Sequence, residues 1–160
     1  MQPLEALGTQ IRFATDGRQY LTFALGGQEY GIDILNVQEI KGYSPITPIP
    51  NTPSHVKGVM NLRGTIIPVI DLRTKLGMRE AEYGSFTVIV VVRVGVKVVG
   101  LIVDTVSDVL NIPESDIQAP PDFGKPVDAK FIEGMAKAGD RLVVLLGIEE
   151  VLGSDVKEAA

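Results

Sequence analysis

The side chain best placed for recognition chemistry is Arg63. It lies in Gly58-Val59-Met60-Asn61-Leu62-Arg63-Gly64-Thr65-Ile66-Ile67-Pro68-Val69-Ile70-Asp71-Leu72. Two apolar arms flank Asn61-Leu62-Arg63-Gly64, and Gly64 can supply the positive φ of a tight turn before the β-branched run Thr65-Ile66-Ile67. Arg63 is therefore expected at a hairpin tip, either as a solvated turn residue or as a cation held out to a partner. Glu39 is the second candidate. It follows Val37 among apolar neighbours Ile34 and Ile40, where a carboxylate can guard an edge strand or orient a partner beside an apolar patch.

The remaining polar candidates lack parts for catalysis. His55 is the only histidine and the chain has no cysteine, which leaves too few groups for a histidine-based metal site, a triad or a thiolate nucleophile. Asp104-Thr105-Val106 has valine where an aspartic protease loop has glycine, and the position matching Asp104-Thr105 in the first half holds Leu35-Asn36, so no carboxylate dyad forms. Gly95-Val96-Lys97-Val98-Val99-Gly100 lacks dinucleotide-loop spacing and reads as a hairpin. Asp33, Asp71 and Asp104 remain the acids that a small hydrolase would need, without a visible base. The expectation is a protein that is not an enzyme and takes no cofactor or metal.

Composition narrows the partners. The 160 residues are 45% hydrophobic but only 6% aromatic, with no Trp, so Val, Ile and Leu build the core and favour strands. The net charge of -5 and the lack of a basic cluster argue against nucleic acid. The stretch from Val88 to Val103 is too short and too interrupted by charge to span a bilayer, and Met1 to Arg18 has no signal-peptide pattern. A soluble cytoplasmic protein is expected.

The elements that must position these residues are mostly strands. Gln19 to Leu25 and the return strand from Glu29 flank Gly26-Gly27, and a bent strand follows over Asp33 to Lys41. Pro45, Pro48, Pro50 and Pro53 mark an extended crossing loop, with one helical turn expected at Thr52 to Val56. Asp71 caps a short helix that Gly77 ends. Phe86 to Val94 reads as a strand buried on both faces, Lys97 to Val103 and Arg141 to Leu146 as further strands, and Ile148 to Leu152 as a helix ended by Gly153.

The chain also repeats itself. Gly31 to Ile40 lies over Gly100 to Val109 at one constant offset, and Gly58, Ile66 to Ile70 and Leu76-Gly77 lie over Gly134, Leu142 to Leu146 and Leu152-Gly153 at a second. A duplicated unit of about seventy residues made of short strands predicts two small β-barrels sharing a core. The expected division is a flexible lead-in over 1–18, a single domain over 19–153 with barrels at about 19–80 and 81–153, and a polar tail over 154–160. Lys137-Ala138-Gly139-Asp140 stands where the first half has Asn61-Leu62-Arg63-Gly64. A turn needed only for folding would persist in both copies, which points to a function for Arg63.

Several of these segments together resemble the CheW family of bacterial chemotaxis coupling proteins. They are Phe23 to Ile34, Val37-Gln38-Glu39-Ile40, Asn51-Thr52-Pro53, Lys57-Gly58-Val59, Asn61-Leu62-Arg63-Gly64, Pro68 to Arg73, Val99 to Asp104 and Val106-Ser107-Asp108-Val109. The resemblance runs from about Gln19 to Leu152. It implies a mainly β fold of two SH3-like five-stranded β-barrels packed together with a few short helices. It also implies a non-enzymatic adaptor that couples the cytoplasmic tips of methyl-accepting chemoreceptors to the histidine kinase CheA, at receptor arrays on the inner face of the membrane. By that resemblance the receptor-binding surface comprises Ile34, Val37, Glu39, Ile40, Lys57, Arg63, Ile66, Gly100, Val106, Val109 and Gly134. The kinase-binding contact would include Gln118, Asp122 and Phe123.

Overall fold

In the computed structural model residues 17–79, 81–119 and 131–158 are described, with side chains through Gly153. Strands β1 (Arg18–Leu25) and β2 (Gln28–Asp33) form the first hairpin. A 3-10 turn at Ile34–Asn36, capped by the Asp33 carboxylate on the Leu35 N–H, leads into β3 (Val37–Gly42). After the proline loop come β4 (Val56–Leu62), β5 (Thr65–Asp71) and the short helix α1 (Leu72–Lys75). The second half supplies β6 (Val88–Val94), β7 (Lys97–Val103) and β8 (Thr105–Ile112). A 3-10 turn (Glu114–Asp116) then precedes β9 (Ile117–Gln118), β10 (Ile132–Ala138), β11 (Arg141–Leu146) and helix α2 (Ile148–Glu158).

The strands form two sheets, ordered β8-β1-β2-β11-β10-β9 and β3-β6-β7-β5-β4. The duplication is visible in register as well as order. The parallel β5–β7 pair sets Val69 opposite Gly100, and the parallel β2–β11 pair sets Leu145 opposite Gly31 at the matching positions. The expected barrels at 19–80 and 81–153 are corrected by this topology. β1 and β2 of the first half pair with strands of the second, while β6 and β7 of the second half sit among β3, β4 and β5. The two halves exchange their first hairpins. A half of about seventy residues is small for an independent core, and the exchange threads each half through both sheets.

One apolar cluster joins the sheets and two more fill their other sides. In β6, Val90 and Val92 enter the shared cluster while Ile89 and Val91 enter the five-stranded sheet's own core, as a strand buried on both faces requires. β11 does the same in the other sheet, with Val144 and Leu146 on the shared side and Val143 and Leu145 on the other. The expected helical turn at Thr52 to Val56 is replaced by a plain turn closed from the Val56 N–H to the Pro53 carbonyl at 3.0 Å, because β4 already begins at Val56. α2 runs through Gly153 to Glu158, so the expected loose tail starts later than the glycine suggested. One glycine costs a helix only about 1 kcal/mol, less than the anchoring of Ile148, Val151 and Leu152 in the shared core returns.

Candidate functional site

The β4–β5 hairpin is tighter than its sequence suggested. Both turn residues are left-handed, Arg63 at φ 49° and Gly64 at φ 92°, which is the two-residue turn that matches strand twist. Asn61 fixes it by accepting the Gly64 N–H on its side-chain oxygen at 2.7 Å. An arginine in this conformation is uncommon, since its Cβ crowds the backbone. Its guanidinium is mostly exposed and grips Glu39 with two parallel hydrogen bonds, Nη1 to Oε1 at 3.1 Å and Nη2 to Oε2. The Arg63 hydrogen bonds hold the Glu39 carboxyl below its ordinary pKa, and Glu39 in turn raises that of Arg63. Glu39 lies on β3 and Arg63 at the tip beside β4, so the pair ties together the two edge strands of the five-stranded sheet.

The remaining members of the receptor-surface expectation fall into three groups. Val37 and Ile40 on β3, and Val106 and Val109 on β8, are half-buried against the shared cluster. They occupy equivalent positions of the duplication, on the corresponding end strands β3 and β8. Ile34 is buried in that cluster, Lys57 is half-buried on β4, and Ile66 stands out into solvent beside the Arg63 tip. Gly100 and Gly134 are buried and serve close packing. A Cβ on Gly134 would come within 2.6 Å of the Ile117 side chain, and one on Gly100 within 3.0 Å of Ile89. Their counterparts Gly31 and Gly58 are buried too, and a Cβ on Gly58 would meet the Thr47 carbonyl oxygen at 2.0 Å.

On the other sheet, Gln118 is exposed on β9 and borders a cleft of about 290 Å³ with Asp116, Met135, Lys137 and Leu142. Asp122 and Phe123 lie outside the described residues. Leu142 is the equivalent of Ile66 and is likewise exposed.

The three carboxylates considered for hydrolysis hold structure together. Asp33 caps the 3-10 turn. Asp71 is buried, caps α1 through the Arg73 N–H at 2.9 Å, and accepts the Tyr83 hydroxyl at 2.7 Å. Asp104 accepts Arg73 Nε at 2.7 Å and the Gly26 N–H at 2.9 Å, tying α1 to the β1–β2 turn. The Arg73 hydrogen bonds lower its pKa, against burial, with the Gly26 N–H helping.

The pairing of Glu39 with Arg63 is what sequence reasoning missed. Both residues stood out separately, but they are 24 residues apart and only opposite charge linked them. The role of Asn61 was hidden too, although an Asn two positions before a left-handed turn is a signal for such a bond.

Comparison with known proteins adds to this geometry. The chain matches the CheW-like domain family model over residues 19–156. It is 45% identical over 141 residues to the chemotaxis protein CheW of Klebsiella aerogenes, covering 88% of this chain and 85% of that one. Against the chemotaxis protein CheW of Rhizobium meliloti it is 40% identical, covering 90% and 93%. Its structure is similar to that of the scaffolding protein TtCheW from Thermoanaerobacter tengcongensis, with a TM-score of 0.79, 34% identity and coverage of 88% and 90%.

Proposed function

The chain belongs to the CheW-like domain family, and from that premise we propose that it is a non-enzymatic adaptor of bacterial chemotaxis signalling. It couples methyl-accepting chemoreceptors to the histidine kinase CheA and promotes receptor control of kinase activity. One observation of the structure carries the adaptor reading. The carboxylates that could serve catalysis are engaged in capping and ion pairing, while an exposed arginine in a left-handed turn is held by a bidentate grip at a sheet end. Such a group offers orientation and charge, which suits recognition.

The receptor-facing surface in this reading comprises Arg63, Glu39, Ile66 and Lys57, with Val37, Ile40, Val106 and Val109 forming its apolar part. Ile34, Gly100 and Gly134 support it from beneath, since all three are buried. A helical receptor tip fits an apolar patch of this kind through side chains at helical spacing. The kinase-facing contact includes Gln118, together with Asp122 and Phe123 further along the sequence, and one unit over 19–153 carries both contacts. The place of action is the receptor array at the inner face of the membrane. No helix among the described residues is long and apolar enough to cross it.

The test is reconstitution of the chain with a soluble receptor cytoplasmic fragment and CheA, followed by kinase phosphorylation. The expected outcome is receptor-dependent phosphorylation only when the chain is present. Equal phosphorylation with and without it would remove the coupling role.

A further inference from the structure

One end of the five-stranded sheet carries aliphatic side chains for which the fold has no use. Register places it. β3 begins at Val37 opposite Val92 of β6, β6 and β7 turn at Gly95-Val96, and β5 runs parallel to β7 with Val69 opposite Gly100. The start of β3, the β6–β7 turn and the start of β5 therefore share an end, which also holds the Arg63 tip. Leu35 is 83% exposed there, Val96 89% and Ile66 64%. These rank with Phe86 as the most exposed large hydrophobic residues among those described.

Leu35 is held in place although it is unburied. The Asn36 side-chain amide donates to the Arg93 carbonyl at 3.2 Å, and Ile34 is anchored in the shared core, so the 3-10 turn is fixed on both sides of Leu35. The duplication shows that folding does not require these side chains. The equivalent of Leu35 is Asp104 and the equivalent of Val96 is Gly27. Arg63 follows the same rule, with Gly139 as its equivalent. Three exposed positions at one sheet end thus differ from their copies, and they do so together.

We infer that Leu35 and Val96 are apolar anchors that extend the receptor-facing surface beyond Val37 and Ile66. The occupant is an amphipathic helix that lays an aliphatic stripe across Leu35, Val96 and Ile66. Glu39 balances the charge of Arg63, and the exposed Arg93 adds a positive charge at this end, so the helix carries an acidic residue at its flank. This inference rests on the receptor reading above. It adds the anchors that decide which receptor tips fit, because a side chain presented on a fixed backbone turn spares the complex the cost of ordering that backbone.

The experiment uses the full chain with Leu35→Ser and Val96→Ser together, titrated by calorimetry with a soluble receptor cytoplasmic fragment and separately with CheA. Receptor affinity is expected to fall about tenfold, with CheA affinity and the melting temperature unchanged. Arg63→Ala is measured beside it. If Arg63→Ala weakens receptor binding and the double variant does not, the anchors are overturned while the receptor reading stands. If neither variant changes it, both are overturned. If only the double variant weakens it, the anchors stand and Arg63 leaves the site. Loss of CheA binding instead, or a change in self-association of the chain alone, would assign this end to another partner and overturn the inference.

Discussion

The tips of the β4–β5 and β10–β11 hairpins occupy equivalent positions in the two copies of one duplicated unit, yet they are built differently. The first places Arg63 at φ 49° and Gly64 at φ 92°, with Asn61 closing the turn. The second places Gly139 at φ 65° in the position of Arg63, followed by Asp140. Glycine takes a left-handed φ without a Cβ clash, so the second tip is a relaxed two-residue turn in which Gly139, and not Asp140, is left-handed. The first tip accepts a less favourable backbone and sets a bidentate arginine against Glu39. The copy of Glu39 is Asp108, whose carboxylate accepts the N–H of its neighbour Val109 at 2.7 Å. One hairpin does what the fold needs, and the other adds a group that the fold can do without. A strained residue at such a place is a sign of function.

The comparison can be broken first at the features both copies share. Gly58→Ala, with its Cβ at 2.0 Å from the Thr47 carbonyl oxygen, should cost about 3 kcal/mol or more, read from denaturant unfolding. The main chain there cannot give way as a flexible side chain does. At Gly134 the nearest obstacle is the end of the Ile117 side chain, so Gly134→Ala should cost less. Equal and small losses would show that the close packing is not what these glycines provide.

The comparison sharpens at Arg63→Gly, which gives the first tip the residue of the second. The fold should persist with an unchanged melting profile, while affinity for a receptor fragment falls about tenfold. A large loss of stability would mean that the ion pair to Glu39 is structural and that the asymmetry serves the barrel.

The smallest effect concerns the Arg73–Asp104 pair, which also exists in one copy only, since the equivalents are Glu149 and Leu35. Asp104→Asn should destabilise by about 1 kcal/mol at neutral pH, a modest figure because the pair is partly screened by solvent. The folded-state pKa of Asp104 is lowered, so its contribution is present above the ordinary carboxylate range and is lost as pH falls through the lowered value. The stability gap between wild type and variant should therefore close in acid. A gap that persists unchanged there would show that charge is not its source.

Much of this was legible from the residues. The strands from Gln19 to Leu25 and from Arg141 to Leu146, the capped helix after Asp71 and the duplicated unit all stand where pattern placed them. β6 shows why. Its unbroken β-branched run can be buried only with apolar neighbours on both faces, and it has them. The candidate residues could be named from the sequence, but their arrangement could not. Ile34, Gly100 and Gly134 proved to be buried, because motif position does not reveal which way a side chain or a missing Cβ faces.

The sequence by itself determined the element types, the repeat and the singular status of Arg63, since these depend on local periodicity and on comparing one half with the other. Tertiary structure alone decided which half pairs with which. A repeat offers each strand two equivalent partners, and only the packing of a shared core selects the exchange of hairpins. The same packing brings Glu39 on one edge strand to Arg63 beside the other. It also gathers Leu35, Val96 and Ile66 at one sheet end, a juxtaposition that residue types and spacing along the chain do not encode.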